Sequence, residues 1–439
     1  MAESSQFSRL IHGWTQIDDG KGATREFDDF VSSNDFLVVD CNGIEFIDAR
    51  SMVWNVAFGH NQPSISAAVA AQMNRLTSVP TLDGQATATA RCLAERLTGL
   101  TGMSRVYLSL SGSAANEVAI TIARDYQTAI GIPERRVIVS LKLGYHGQSI
   151  GTLPLAGFSG LQMPGAPESL DYALVPNCYC YRCPVGQARE ICNIECADSA
   201  IARIEALRPD RVAALIIEPI QGSVGHPPPV EWFKRLADYL KKHGILLIVD
   251  EVANGFARLG NNFAFEAFRI QPDVLTLSKA ITNGALPMAA TLTTAEVTNV
   301  LIEAGWTPSF GSTQDGNPVC AAAALATLDI LEAEDWASRA QYLGKRLDKM
   351  LRREIGNHPN VGEIRGMGLF RAVELVQNRA TRSAFKKTEA LAKELKDRRL
   401  LVRCDGGIII IAPPLSTPHE VIDEIAFRVG AALRSTSGS

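Results

Sequence analysis

The sequence lacks the features that would point to a membrane, a nucleic acid or a disordered chain. Its longest apolar runs, such as 245–249 and 408–412, fall far short of the ~18 residues that a membrane helix needs. Lys and Arg number 43 against 47 Asp and Glu, which gives a formal net charge of −4, and no strongly basic run could follow a phosphate backbone. The N-terminus has no basic segment followed by an apolar one. We therefore expect a cytoplasmic protein with no membrane and no nucleic-acid partner.

What the sequence contains is typical of a large α/β protein. Of its 439 residues, 46% are hydrophobic, which is enough for a sizeable core. From about residue 60 to 310, short β-rich apolar runs alternate with helical patterns, which predicts βαβ units and a mostly parallel sheet. The predicted strands are Arg105 to Leu110, Arg136 to Leu141, Val212 to Ile217, Ile245 to Val249 and Val274 to Leu277. The predicted helices include Ala114 to Tyr126 and Glu231 to His243.

The two ends of the chain have a different pattern. Residues 1–58 are mixed, and beyond 313 long helical patterns precede two strand-like stretches, 362–375 and 400–411. This predicts a large domain over 59–312 with a mostly parallel central sheet covered by helices. A smaller α+β domain would combine the segments 1–58 and 313–439.

Chemically useful residues follow each predicted strand of the large domain. Ligands of doubly wound sheets bind beyond the carboxyl ends of the strands. The residues found there are Ser111-Gly112-Ser113, Gly144-Tyr145-His146-Gly147, Glu218-Pro219, Asp250-Glu251 and Ser278-Lys279. Taken singly, each is typical of an ordinary strand end or helix cap, but together at successive strand ends they favour a cofactor site.

This set of groups suits pyridoxal phosphate better than a nucleotide. A lysine amine can react with the aldehyde, a carboxylate can pair with the pyridinium nitrogen, and an aromatic side chain can cover the ring. Backbone amides at the start of a helix favour a phosphate. The sequence therefore predicts pyridoxal 5′-phosphate as the cofactor.

The same residues resemble the class III (ω-amino acid) aminotransferases of the fold type I pyridoxal phosphate enzymes, and the resemblance covers nearly the whole chain. The matching stretches run from Phe46-Ile47-Asp48 through Gly59-His60, and include Leu110 to Glu117, Gly144 to Gly147, Ile217 to Gly222, Asp250-Glu251-Val252, Ser278-Lys279, Gly316-Asn317-Pro318 and Arg365 to Gly368. The resemblance implies the fold type I architecture and a homodimer with a shared active site.

The resemblance also assigns catalytic roles. Lys279 would bond the cofactor and shuttle the proton, and Asp250 would keep the pyridine nitrogen protonated. Tyr145 and Val252 would cover the two ring faces.

Four further residues match cofactor-binding positions of the family. Gly112 and Ser113 would form the phosphate cup, and Glu218 would lie near the ring hydroxyl. Thr313 would reach the phosphate of the partner subunit.

Departures from the family pattern narrow the substrate. Members that act on γ-aminobutyrate or ornithine carry a glutamate and an arginine where this chain has Ser223 and Ile410, which argues against those subgroups. Arg403 and Trp54 match substrate-binding positions of the amine:pyruvate type. We therefore expect an amino group to pass from an amine or ω-amino donor to a 2-oxo acid such as pyruvate, in a ping-pong cycle.

Two alternatives stay open. The same cofactor chemistry could serve a decarboxylase, racemase or aminomutase of the family, since one carbanion can partition in several ways. A non-catalytic regulatory or metal-binding protein of the same fold would be the third possibility, although the presence of both Lys279 and Asp250 speaks against it.

Five of the nine cysteines crowd into one segment: Cys178, Cys180, Cys183, Cys192 and Cys196. Their number would suffice for a tetrahedral zinc site, but the spacings match no standard zinc finger or ribbon. Reduced thiols on a surface loop are the expectation, with no metal assigned, and a structural zinc or a disulfide remain the alternatives.

Overall fold

The computed structural model describes residues 29–158 and 171–438. Residues 1–28 of the predicted segment 1–58 and the final residue of 313–439 lie outside the described residues. No helix in the described part of the chain is long and apolar enough to cross a membrane.

The described chain contains sixteen strands and twelve helices. The strands are β1 (Phe30–Asn34), β2 (Leu37–Asp40), β3 (Glu45–Asp48), β4 (Arg105–Ser109), β5 (Val137–Leu141), β6 (Tyr172–Val175), β7 (Val212–Ile217), β8 (Leu246–Asp250), β9 (Val274–Leu277), β10 (Ala289–Thr293), β11 (Val361–Met367), β12 (Phe370–Asn378), β13 (Ser383–Ala384), β14 (Leu400–Leu401), β15 (Arg403–Asp405) and β16 (Ile408–Ile411). The helices are α1 (Ser51–Trp54), α2 (Pro63–Arg75), α3 (Ala88–Thr101), α4 (Gly112–Ala129), α5 (Glu195–Ala206), α6 (Val230–His243), α7 (Ala264–Ala267), α8 (Ala295–Glu303), α9 (Pro318–Ala333), α10 (Trp336–Ile355), α11 (Thr388–Asp397) and α12 (His419–Gly438).

A seven-stranded sheet forms the centre of the molecule, in the order β4-β10-β9-β8-β7-β5-β6. The five strands from β9 to β6 are parallel to one another, which confirms the predicted mostly parallel sheet. Every residue of β5, β7 and β8 is buried, as expected for strands that are covered by helices on both faces. All five predicted strands are present, with small shifts at their ends.

Two strands of this sheet were not predicted, β6 and β10. Strand β10 runs antiparallel to both β9 and β4. It follows β9 after a short 3-10 turn at Lys279–Thr282, without a crossover helix. A short connection of this kind suits antiparallel neighbours, so the βαβ pattern used for the other strands could not reveal it.

The helix ends follow ordinary capping rules. Helix α4 begins directly after β4, and the Ser111 hydroxyl accepts a hydrogen bond from Ala114 N at 3.2 Å. Helix α6 ends at Gly244, which has the left-handed conformation (φ +64°) predicted for a C-terminal stop.

Two smaller sheets accompany the central one, and chain segments from both ends meet in the first of them. In the first, ordered β1-β2-β3-β14, Leu400 of β14 pairs with Ile47 of β3. The second has the order β11-β12-β16-β15. This arrangement agrees with the fold type I architecture that the sequence resemblance implies, with an α+β part contributed by both chain ends.

The two strand-like stretches near the C-terminus are each divided into several strands. Within 362–375, strands β11 and β12 pair antiparallel around Gly368, whose φ is +52°. A Cβ there would collide with the backbone of Leu259, so the position requires glycine. The stretch 400–411 likewise forms β14, β15 and β16.

Candidate active site

A cavity of 2710 Å³ opens at the carboxyl ends of the central strands. Nine of the ten predicted site residues line it: Trp54, Gly112, Ser113, Tyr145, Glu218, Asp250, Val252, Lys279 and Arg403. Thr313 does not line this cavity, and its side chain is exposed in the single chain. The fold thus brings together residues that are far apart in the sequence.

Asp250 ends β8 and is held by three donors. Its Oδ2 lies 2.8 Å from His146 Nδ1 and accepts a hydrogen bond of 2.8 Å from Asn116 Nδ2. Its Oδ1 accepts from Val252 N at 3.0 Å. The carboxylate is 3% exposed, so these bonds fix its position in a largely dry wall of the cavity.

His146 and Asn116 are site residues that the sequence analysis missed. Asn116 lies one turn into α4, where its Oδ1 accepts from Thr276 Oγ1 at 2.8 Å and its Nδ2 also reaches His146 O at 2.9 Å. His146 Nε2 is buried and has no hydrogen-bond partner in the described part of the chain. Both residues stand inside the quoted motifs, and asking which polar groups could support the Asp250 carboxylate would have singled them out.

Lys279 follows β9 in a strained conformation, with a φ of +49°. Such left-handed backbone is unfavourable for a residue with a Cβ and clusters at functional sites. Its Nζ makes no hydrogen bond or ion pair with any described residue, and lies 4.8 Å from the centre of the Trp54 ring. The amine is therefore available for reaction.

The surroundings of Lys279 favour the neutral amine. Burial lowers the pKa of Lys279 to about 8, against the opposing effect of the carboxylates of Asp250 and Glu218. A lysine with such a pKa can act as a nucleophile and as a proton carrier near neutral pH.

Glu218 organises the backbone on the opposite side of the cavity. One carboxylate oxygen accepts from Tyr145 N and the other from Gly222 N, both at 2.9 Å. Burial raises the pKa of Glu218. Both oxygens therefore support neighbouring loops, including the one that presents the Tyr145 ring.

The start of α4 forms a cradle whose first backbone N–H groups have no partner within the helix. A Cβ at Gly112 would lie only 2.9 Å from Val252 Cγ1, so a side chain cannot be added there without displacing Val252. The Ser113 hydroxyl accepts from Gln148 N at 3.3 Å. The dipole and first N–H groups of an 18-residue helix favour a phosphate here.

Trp54 and Arg403 form the outer part of the site. Trp54 ends α1, in which four successive residues have a φ between +45° and +68°. Its indole Nε1 is buried and finds no hydrogen-bond partner among the described residues. Arg403 lies over the ring, with Cζ at 5.8 Å from its centre, and donates a hydrogen bond of 3.2 Å to Gly222 O.

The structure also locates Ser223 and Ile410, the two residues that depart from the pattern of the γ-aminobutyrate and ornithine subgroups. Ile410 pairs with Arg403 between β16 and β15 and is 1% exposed. The Ser223 hydroxyl donates a hydrogen bond of 2.7 Å to Leu143 O. Neither residue offers a charge to a substrate.

The residues present fit pyridoxal phosphate. An unpaired lysine amine, a buried carboxylate held by His146 and Asn116, an aromatic side chain and a helix start converge on one cavity. Each has a counterpart among the aldehyde, ring nitrogen, ring face and phosphate of that cofactor.

Comparison with known proteins gives a consistent result. The family model for the class-III aminotransferases matches residues 24–433. The chain is 33% identical to the adenosylmethionine-8-amino-7-oxononanoate aminotransferase of Nitratidesulfovibrio vulgaris, over 97% of this chain and 80% of that protein. It is 34% identical to the leucine/methionine racemase of Thermococcus litoralis, over 90% and 88% of the two chains. An amine transaminase from an uncultivated Pseudomonas species, solved with bound pyridoxal phosphate, superposes with a TM-score of 0.91 at 32% identity, covering 98% of both chains.

Proposed function

Because the chain belongs to the class-III aminotransferases, which depend on pyridoxal phosphate, we propose that it moves an amino group from an amine or ω-amino donor to a 2-oxo acid such as pyruvate. The observation that carries the proposal is the position of the unpaired Lys279 amine, in one cavity with the Asp250 carboxylate and with Arg403 beside Trp54.

Bound pyridoxal phosphate supplies an aldehyde that accepts the amino group and a ring that withdraws electrons from the donor carbon. Lys279 Nζ takes the proton from that carbon and delivers it again, a task suited to an amine with a pKa of about 8. The Asp250 carboxylate would accept a hydrogen bond from the protonated ring nitrogen, and His146 and Asn116 keep it in place.

Other residues of the chain would hold and orient the cofactor. The N–H groups at Gly112 and Ser113 would bind the phosphate, while Tyr145 and Val252 would enclose the ring. Glu218 acts as a positioning residue, since both its oxygens are occupied by backbone N–H groups.

Arg403 would allow the site to accept both a 2-oxo acid and an apolar amine. Its guanidinium makes one hydrogen bond to Gly222 O and a 3.5 Å ion pair with Asp405, which is largely exposed. An arginine held this weakly can turn toward the carboxylate of a 2-oxo acid and away from an apolar amine. The buried Ile410 offers no alternative cation at its position.

Thr313 would act across a homodimer. It is exposed in the single chain, on a loop anchored by Asp315, which accepts hydrogen bonds from Tyr107 Oη at 2.7 Å and Ser312 N at 2.8 Å. A fixed, exposed loop of this kind could reach the phosphate bound in a second copy.

The test is to add donors singly to the purified protein and follow both the visible absorbance of the cofactor and the formation of keto product. Alanine, taurine, β-alanine, an aryl amine and ornithine cover the donor classes, with Lys279→Ala as the control. Loss of the aldehyde absorbance with an equal amount of keto product, absent in the control, would support the proposal.

The racemase alternative gives a different outcome. The named activity of the Thermococcus litoralis relative makes inversion of an amino acid worth measuring in the same samples. Formation of the opposite enantiomer without keto product would replace transamination by racemisation.

A further inference from the structure

Four side chains meet behind the wall of the active site, in what we term the thiol–imidazole cluster: Cys178, Cys180, Cys196 and His226. The ligand atoms of Cys178, Cys180 and His226 lie within 4.8 Å of one another. The thiols of Cys180 and Cys196 are both neighbours of the Cys178 thiol and raise its pKa. This group takes no part in the chemistry described above.

The histidine of the cluster is unusual in its burial. His226 is 3% exposed, and neither of its ring nitrogens has a hydrogen-bond partner of normal geometry within residues 29–158 and 171–438. A buried polar group without a partner is energetically unfavourable. Cys178 and Cys196 are buried as well, at 4% and 5% exposed. A soft metal ion would satisfy the imidazole and the thiols together.

We propose that the thiol–imidazole cluster binds one structural Zn²⁺ ion with three thiolates and one imidazole. Zinc takes these ligands in a tetrahedron, with Zn–S near 2.3 Å and Zn–N near 2.0 Å, which separates the ligand atoms by roughly 3.6–3.8 Å. Closing the observed 4.8 Å group onto an ion therefore needs side-chain movements of about an ångström. Cys196, whose thiol neighbours that of Cys178 but lies outside the group of three converging ligand atoms, would move in as the fourth ligand.

The ligands of the cluster come together although the spacing of the cysteines matches no standard zinc motif. One residue, Tyr179 (φ −146°, ψ 84°), separates Cys178 from Cys180, and the two sulfur atoms lie within 4.8 Å of each other. Cys196 comes from the first turn of α5, and His226 from the loop after β7. The ligands thus come from three separate segments.

The crowded cysteines are not equivalent. The Cys192 thiol donates to Glu195 Oε2 and accepts from Ile194 N, both at 3.2 Å, at the start of α5. Neither Cys192 nor Cys183 belongs to the described group whose ligand atoms converge. These two cysteines therefore serve as matched controls.

The zinc would fix one wall of the active site. The loop that carries His226 also carries Gly222, Ser223 and Val224, all of which line the cavity. Arg365 donates hydrogen bonds of 2.6 and 2.9 Å to Val224 O. With four protein ligands the ion would have no open position, so its role is structural.

The test is elemental analysis of the untagged, cofactor-loaded protein purified under reducing conditions. We expect about one zinc per chain, lost in Cys180→Ser and in His226→Ala and retained in Cys183→Ser and Cys192→Ser. Replacement of the zinc by Co²⁺ in the wild-type protein should give strong d–d bands in the red, where the cofactor does not absorb. The cobalt spectrum decides the matter even if a variant does not fold.

Three results would overturn the proposal: no zinc in the wild-type protein and none taken up on addition, unchanged zinc in Cys180→Ser, or a disulfide among Cys178, Cys180 and Cys196 in peptide mapping. Each readout is metal content, spectrum or covalent linkage, and each is independent of whether the protein transaminates.

Discussion

Replacing the active-site lysine by an uncharged side chain of similar length should stabilise the cofactor-free protein at neutral pH. In Lys279→Met the aliphatic part remains and the buried amine is lost. Burial depresses the pKa of Lys279 from 10.5 to about 8, and at about 1.4 kcal/mol for each pH unit between these values the charged form costs roughly 3 kcal/mol. This cost lowers the free energy of unfolding whenever the lysine is protonated in the unfolded chain.

Because burial lowers the pKa of Lys279, the destabilisation caused by its buried charge depends on pH. Below pH 8 the lysine is charged in both states, so the full cost is present. As the pH rises from 8 toward 10.5, the folded protein carries the neutral amine, and the cost falls to below about 1 kcal/mol at pH 10. The gain in stability from Lys279→Met should therefore be large at pH 7 and small at pH 10.

Urea denaturation of the cofactor-free proteins at the two pH values measures both quantities. Lys242→Met, which removes an exposed lysine of α6, is the control and should change stability by less than about 0.5 kcal/mol. A Lys279→Met protein no more stable than wild type at pH 7, or an equal gain at pH 10, would refute the claim that burial depresses this pKa.

Three further substitutions test the roles of other residues. Asn116→Ala removes a buried donor worth about 1–3 kcal/mol, so kcat should fall by roughly ten- to a hundredfold with little change in KM; an unchanged kcat would contradict the supporting role. Gly112→Ala should weaken binding of pyridoxal phosphate in an equilibrium titration because its Cβ would meet Val252 at 2.9 Å. The control Gly99→Ala, whose Cβ meets no atom within 4 Å, should bind the cofactor normally, and equal affinities of the two variants would contradict a phosphate cradle at Gly112. Arg403→Leu should raise the KM for pyruvate about ten- to a hundredfold, the loss of one charged pair, but leave the half-reaction with an apolar amine unchanged in single-turnover assays; equal losses for both substrates would argue against a carboxylate-binding role.

The sequence predicted the fold and the positions of the principal site residues because parallel strands place their carboxyl ends at one edge. Asp250 ends one buried strand and Lys279 comes shortly after another, so their convergence could be expected from the pattern alone. His146 and Asn116 were harder to recognise, since their role depends on which side chains face Asp250 across two strands and a helix.

Other features have no local pattern to reveal them. His226 lies far along the chain from Cys180 and belongs to a different loop, so the cysteine spacing gave no reason to include it. The left-handed turn that ends at Trp54 contains no glycine from which it could have been predicted. Strand β10 follows a tight turn rather than a crossover helix, and its direction is set by its two neighbours.

The pairing of β14 with β3 has a consequence for synthesis on the ribosome. Ile47 emerges early, but its partner Leu400 is translated some 350 residues later. Throughout that interval one edge of β3 has no strand beside it, and an unpaired edge invites association with other chains. Since Arg403 follows β14 directly, the substrate side of the cavity is also completed only after this late pairing. Nascent chains that stall before residue 400 would therefore be both prone to aggregate and unable to form the full site, which makes this pairing the step at which a chaperone would help most.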